Sequence, residues 1–161
     1  MTRQFMLFLA IGLIAAGAGV FFTFEVNKGS HLTLEGKILK VRTLPTDEHS
    51  AIVVVDFRVR NAATLPFMVR EGTITITTAD GKEVEGETIA RSDINRVFDY
   101  YKILGPKFNE VLIVRDRING NQSIDRMLAA RFTIPASEVD QRKAVKLTLL
   151  DVDGPKFTFA Q

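Results

Sequence analysis

Cysteine is absent from this 161-residue sequence. That excludes a disulfide framework, a thiolate metal site, a cysteine nucleophile and the lipid-modified cysteine of a lipoprotein. Histidine is scarce, with two residues, so a His-rich metal centre is not expected and no cofactor is assigned. Surplus charge of one sign is missing too. The 21 Lys+Arg oppose 19 Asp+Glu for a net of +2, and the pI of about 9.0 reflects near-cancellation. A nucleic-acid binder carries a clustered basic footprint; none is found along the chain, so no nucleic-acid partner is expected. Glycine-rich phosphate loops, internal repeats and low-complexity linkers are also lacking. What remains is 46% hydrophobic and 25% charged, with five Pro and eleven Gly. Those values exclude collagen-like and wholly disordered chains.

The apolar residues are unevenly placed. Phe5 to Phe24 reads FMLFLAIGLIAAGAGVFFTF, twenty residues without a charge. As a helix it spans roughly 30 Å, the thickness of a bilayer hydrocarbon core. Phe5, Leu9, Leu13, Val20 and Phe24 mark that span. Arg3 and the terminal amine favour a cytoplasmic N-terminus, which sends the rest of the chain outward. The rival reading is a cleaved signal peptide, with Ala16-Gly17-Ala18 as a small-x-small site. The apolar run continues through Val20-Phe21-Phe22-Thr23-Phe24, where a mature N-terminus should turn polar, and this favours a retained signal-anchor. Gly12 with Ala16, and Ala15 with Gly19, are small residues at helical spacing that permit close helix packing in lipid. The expected organisation is a single-pass transmembrane helix over residues 1–28 and a domain over 29–161. The helix sits in the inner (cytoplasmic) membrane, and the domain is periplasmic or extracellular.

From about His31 the pattern changes to that of strands. Leu34, Ile38, Leu39 and Val41 lie in a first strand closed by Thr43-Leu44-Pro45, and a polar loop over Thr46–Ser50 follows. Ala51–Asn61 then alternates, with Val55, Phe57 and Val59 on one face and Asp56, Arg58 and Arg60 on the other. The Ile52-Val53-Val54-Val55 run suggests a start covered on both faces. Thr73–Thr77 alternates strictly within a strand over Phe67–Thr78, and Asp80-Gly81 is a hairpin signal. The charged return strand, Lys82–Ala90, suits an exposed edge. Ser92 reads as a helix N-cap, with Ile94, Val97, Phe98 and Tyr101 on one helical face and Gly105-Pro106 as the stop. Further strands are expected over Glu110–Arg117, Met127–Ile134, Ala144–Val152 and Lys156–Phe159, with a polar link over Ala136–Arg142. About eight strands at this spacing predict a mainly β fold, an antiparallel immunoglobulin-like β-sandwich with one short helix.

The strand ending in Asn61, the Asp80-Gly81 hairpin and the late Phe132-Thr133-Ile134-Pro135 before AVKLTLLDVDG carry a resemblance. In this order they resemble exported bacterial immunoglobulin-like domains of the water-stress/hypersensitive-response type and related small anchored domains of unknown function. The resemblance covers roughly Leu34 to Phe159. The Pro-Gly turn of those domains is replaced here by Ile118-Asn119-Gly120-Asn121. The resemblance implies a non-catalytic binding or structural module and carries over no site residue.

Candidate chemistry is sparse. His31 and His49 have no Ser or Cys at a suggestive spacing, and a triad needs base, acid and nucleophile to converge. Asp151-Val152-Asp153-Gly154 opens like a calcium loop but lacks the later Glu, so a turn is expected. Asp116, Asn119, Asn121 and Asp125 fit turn chemistry. No catalytic, cofactor-binding or metal residue is assigned, and an enzyme is not expected. Two groups remain as a possible interaction face: Arg58 with Arg60 and Arg115 with Arg117, forming a cationic stripe if their strands are neighbours, and the rings of Tyr100 and Tyr101 with Phe108. The simpler alternatives are a solvated face neutralised by Asp56, Asp116 and Glu71, and rings spent on core packing. The expected function is a membrane-anchored, extracytoplasmic, non-catalytic structural or protein-interaction subunit. Its partners would be the bilayer, through residues 5–24, and a membrane or envelope protein. The alternative is a domain binding a small ligand or an envelope polymer.

Overall fold

The computed structural model describes residues 12–14, 16–19, 21 and 33–161. The chain divides into two units, Met1–His31 and Leu32–Gln161. In the first unit the described residues are helical, and Gly12, Leu13, Ala16 and Gly19 are exposed. Phe5, Leu9, Ala15, Val20, Phe24 and His31 lie outside the described residues. No helix among the described residues is long and apolar enough to cross a membrane.

The second unit holds ten strands among the described residues: β1 (Leu34–Asp47), β2 (Ser50–Asn61), β3 (Phe67–Thr77), β4 (Glu83–Glu85), β5 (Glu87–Thr88), β6 (Glu110–Val111), β7 (Arg117–Ile118), β8 (Ser123–Phe132), β9 (Ala144–Asp151) and β10 (Lys156–Ala160). Helix α1 (Arg91–Tyr100), a 3-10 turn (Lys102–Leu104) and the short helix α2 (Ala136–Asp140) complete it. One sheet runs β1-β2-β8-β5, with β6 also on β8; the other runs β10-β9-β3-β4, with β7 also on β3. All pairings are antiparallel except that of β6 with β8. The protein is a mainly β sandwich with few short helices.

Between the sheets lies one core. Ala51, Val53, Val55, Phe57 and Val59 of β2 meet Ile74 and Ile76 of β3 and Leu147 and Leu149 of β9, with Phe67, Phe132 and Phe159 filling the ends. These are the inward positions of period-two strands. The other face of the first sheet is covered as well. Ile52 and Val54 of β2, Leu44 of β1, and Met127 and Ala129 of β8 pack against Ile94, Phe98 and Leu104. The Ile52–Val55 run is therefore buried on both faces.

A bulge makes this double use of β1 possible. Ile38 pairs with Phe57 and Lys40 with Asp56, leaving Leu39 as the extra residue. An inserted residue exchanges the two faces of a strand. Before it Leu34 and Ile38 point into the sandwich; after it Arg42 and Leu44 are buried on the opposite side. β1 also runs on to Asp47, past Thr43-Leu44-Pro45, where the sequence suggests an end. Proline is tolerated there because β1 is an edge strand, and the loop expected over Thr46–Ser50 contracts to a tight turn.

Other expectations are corrected in the same way. The return strand over Lys82–Ala90 splits: β4 pairs with β3 in one sheet, while β5 pairs with β8 in the other. The crossing residue is Gly86, whose N–H donates to Ile74 O at 2.9 Å. An added Cβ there would meet the Phe132 ring at 2.5 Å and the Ala130 Cβ at 2.8 Å. The strand expected over Glu110–Arg117 breaks into β6 and β7, because Arg115 adopts a positive φ of 68°. Ser92 does not cap α1: the N-cap is Ala90, without a side-chain bond. Asn61 closes β2 as a structural residue. It is fully buried, its Nδ2 donating to Leu65 O and Ile118 O and its Oδ1 accepting from Ala63 N.

The contact at Gly86 sets a test. Gly86→Ala is expected to lower unfolding free energy by about 1–3 kcal/mol through overpacking, read as a shift in the urea midpoint. An unchanged midpoint would mean that Phe132 moves aside freely.

Candidate functional site

The segment from Ile89 to Gln122 is inserted between β5 and β8, and its first part, α1 with the 3-10 turn, lies on the outer face of the first sheet. Its attachment is partly apolar, through Ile94, Phe98 and Leu104. The polar part centres on Arg42. One terminal nitrogen, Nη1, donates to Leu104 O and to Pro106 O, both at 3.0 Å. The other, Nη2, lies 2.5 Å from Asp56 Oδ2. Asn109 Nδ2 donates to the remaining Asp56 oxygen at 2.9 Å. Both charged side chains are buried, at 7% and 3% exposure. The guanidinium also stands over the Phe98 and Phe108 rings, 4.9 and 5.5 Å from their centroids. Among the described residues Arg42 Nε has no hydrogen-bond partner; ring faces supply part of what it lacks.

This arrangement was not legible from alternation alone. Asp56 shares its face of β2 with Arg58 and Arg60, and reads as a solvated carboxylate. The insert covers Asp56 and leaves the two arginines beyond its edge. Asp56 therefore does not neutralise them. Arg58 instead forms a forked pair with Asp125 directly across on β8, at 2.7 and 2.8 Å, and Arg60 lies 3.6 Å from Glu35. Asp116 pairs with Arg126. Arg117, on β7, belongs to the β3 side of the sandwich, and the Arg115 N–H donates to Val69 O of β3. The two arginine pairs are thus not brought together, and the condition for a single stripe, neighbouring strands, is not met.

The rings take the opposite course. Tyr100, Ile103 and Phe108 are 80%, 83% and 58% exposed, so they are not spent on the core. Tyr100 and Tyr101 pack edge to face with centroids 5.0 Å apart. Lys40 places its ammonium 4.9 Å from the Phe108 centroid. Leu39, Lys40, Asp56, Phe108 and Asn109 line an open depression of about 240 Å³. A second groove, about 230 Å³, lies on the outer face of the other sheet among Glu71, Thr73, Thr75, Glu85, Thr148, Leu150 and Lys156. Both are small beside usual ligand pockets. Sequence reading missed Arg42, Asn109 and Ile103; Ile103 follows two tyrosines at the end of a helical pattern, which is the signal that would have marked it.

The remaining candidates resolve into turns. The Asp151 carboxylate accepts from the backbone N–H of Met68 and of Asp153. His49 sits in the β1–β2 turn, its backbone N–H donating to Asp47. Among the described residues no group of three or more His, Cys, Asp and Glu is placed to hold a metal ion. Three carboxyls lie below the ordinary 3.8. For Asp47 the causes are hydrogen bonds from the Ser50 hydroxyl and the His49 N–H. For Asp80 they are the Thr78 hydroxyl and the Lys82 N–H. For Asp125 it is the Arg58 guanidinium.

No family model matches the chain, and no curated protein matches it. Several solved structures are similar to it at low identity, each with a TM-score below 0.5. An inferred lipoprotein of Bacillus subtilis is 16% identical with a TM-score of 0.48, over 80% of this chain and 36% of that one. The chain thus spans about a third of that protein's length. An uncharacterised β-sandwich protein of Clostridium difficile is 13% identical with a TM-score of 0.39, over 81% and 89% of the two chains. The archaellum periplasmic stator protein FlaG of Sulfolobus acidocaldarius is 5% identical with a TM-score of 0.37, over 80% and 100%.

Two outcomes follow from this geometry. Asp56→Ala strands a buried guanidinium and is expected to cost about 3–5 kcal/mol in urea unfolding, whereas Arg42→Met with Asp56→Leu recovers most of that loss. Equal costs for the single and double variants would refute the pairing. For pH, a lowered folded pKa gives stability that is present above the unfolded value and lost as pH falls through the folded one. Stability is therefore expected to decline below about pH 4, and Asp125→Asn to make that decline shallower.

Proposed function

We propose that this chain is a non-catalytic structural or interaction subunit of a membrane or cell-envelope assembly, anchored by Phe5–Phe24. The sandwich would be held outside the cytoplasm. The observation that carries the reading is the insert, a group of exposed rings and aliphatic side chains fixed on a rigid platform. An exposed apolar patch of this kind marks a contact surface. The anchor is supported by the twenty-residue uncharged run and by Arg3 ahead of it.

The strand order supports a finer reading of the fold. β1-β2-β8-β5 facing β4-β3-β9-β10 corresponds to A-B-E-D facing C′-C-F-G of an immunoglobulin-like sandwich. On that reading the insert sits between strands D and E. Such sandwiches serve many unrelated roles, so the role is argued from the surface and not from the fold.

The full chain is expected to stay in the membrane pellet after carbonate extraction, with its N-terminus intact, and to copurify with a stoichiometric partner in mild detergent. Release of a form lacking residues 1–18 would overturn the anchor. A catalytic turnover requiring the insert would overturn the non-catalytic role.

A further inference from the structure

The exposed side chains of the insert fall into a repeated pair of types. Tyr100-Tyr101-Lys102-Ile103 and Pro106-Lys107-Phe108 set rings and aliphatic groups directly beside ammonium groups. Lys40 joins them from β1, over the Phe108 ring, and Leu39 lies beside it, 42% exposed. Lys107 is held near Asn95 Oδ1 and Glu110 at 3.2 and 3.5 Å. Tyr100 and Ile103 are largely exposed, and Phe108 keeps 58% of its surface open beside Lys40 and Arg42.

Those residue types discriminate between occupants. The centre of a protein interface is rich in aromatics but poor in lysine. At the surface of a bilayer the two belong together. Tyrosine rings sit at headgroup level, aliphatic groups enter the acyl boundary, and lysine stems lie along the apolar zone with their ammonium groups at the phosphates. Anionic headgroups complement Lys40 and Lys102 at the patch margin.

Chain length agrees. The uncharged run ends at Phe24 and β1 begins at Leu34. The link of residues 25–33 extends at most about 30 Å. Leu39 and Lys40 follow within roughly 20 Å along β1. A domain tethered this closely keeps the patch within reach of the bilayer from which the chain would emerge.

We propose that Tyr100, Tyr101, Lys102, Ile103, Phe108 and Lys40 form a lipid-headgroup contact surface by which the sandwich lies down on an anionic bilayer. The proposal rests on the anchored reading above and names what the insert touches.

The chain has no tryptophan, so Ile103→Trp supplies a single tryptophan, excited selectively over the two tyrosines, at an exposed position. The full-length variant is reconstituted into vesicles of phosphatidylcholine with phosphatidylglycerol. Its emission is expected to shift to the blue and to fall by about half with lipids brominated close to the headgroup. Thr158→Trp, on the exposed outer face of the other sheet, is expected to show neither change. Lys40→Glu with Lys102→Glu, in the Ile103→Trp background, is expected to weaken the quenching. Absent quenching in a chain that resists carbonate extraction would overturn the lipid contact and leave the anchor standing. A blue shift without quenching would mean that protein covers the patch, and would overturn it too. Failure of the full chain to incorporate at all would overturn both readings.

Discussion

Arg42 reaches from β1 to the carbonyls of Leu104 and Pro106 while its second terminal nitrogen holds Asp56 on β2. The two hydrogen-bonded carbonyls lie on either side of Gly105, at the point where the insert turns back. A buried guanidinium is costly unless its charge and its donors are met. Here one carboxylate and two carbonyls take the two terminal nitrogens and two aromatic rings face the charge, while among the described residues Nε has no hydrogen-bond partner. A misplaced insert would leave Nη1 without its two carbonyl acceptors, so these hydrogen bonds specify where the segment sits as well as holding it there. Hydrophobic contact through Ile94, Phe98 and Leu104 supplies attraction without register; the arginine supplies register.

The pair depends in turn on two backbone irregularities. Without the extra residue at Leu39, position 42 would fall opposite Val53 and face the sandwich interior. The bulge turns Arg42 outward while keeping Leu34 and Ile38 inward. Gly86 then lets the chain leave β3's sheet and join β8, which brings the insert onto the correct face of the molecule. Its lack of a side chain is required by the Phe132 ring and by Ala130. Both features lie outside regular periodicity, yet the second hydrophobic core forms only because of them.

This explains which parts of the molecule could be read from the sequence. Alternation exposed β2, most of β3 and β9, because each is a period-two strand with one face in the main core. Asp80-Gly81 announced its hairpin because Gly81 takes a φ of 92°. Asn61, by contrast, read only as a strand end, since its burial depends on partners 4 and 57 residues away. Asp56 looked solvated for the same reason: the covering segment arrives from some fifty residues later in the chain. Arg115 broke an apparently continuous strand through a backbone conformation that its residue type does not advertise. The exposed rings were singled out, but helical spacing alone does not say whether Tyr100 and Tyr101 continue a buried face or step off its end.

That last distinction bears directly on the contact proposed for the insert. Helix α1 ends at Tyr100, and the tighter 3-10 turn that follows rotates Ile103 away from the buried side of Ile94 and Phe98. Gly105, at a φ of 72°, reverses the chain, and Pro106 presents its carbonyl to Arg42. Phe108 is thereby held above the ion pair, with part of its ring against the guanidinium and the rest open to solvent. The turn itself is fixed by buried Leu104 and by the Arg42 hydrogen bonds to the Leu104 and Pro106 carbonyls. The exposed rings are therefore not slack in a mobile loop that could fold back to cover them. They stand outward beside the interactions that stabilise the insert, which is the preorganisation the proposed contact would need.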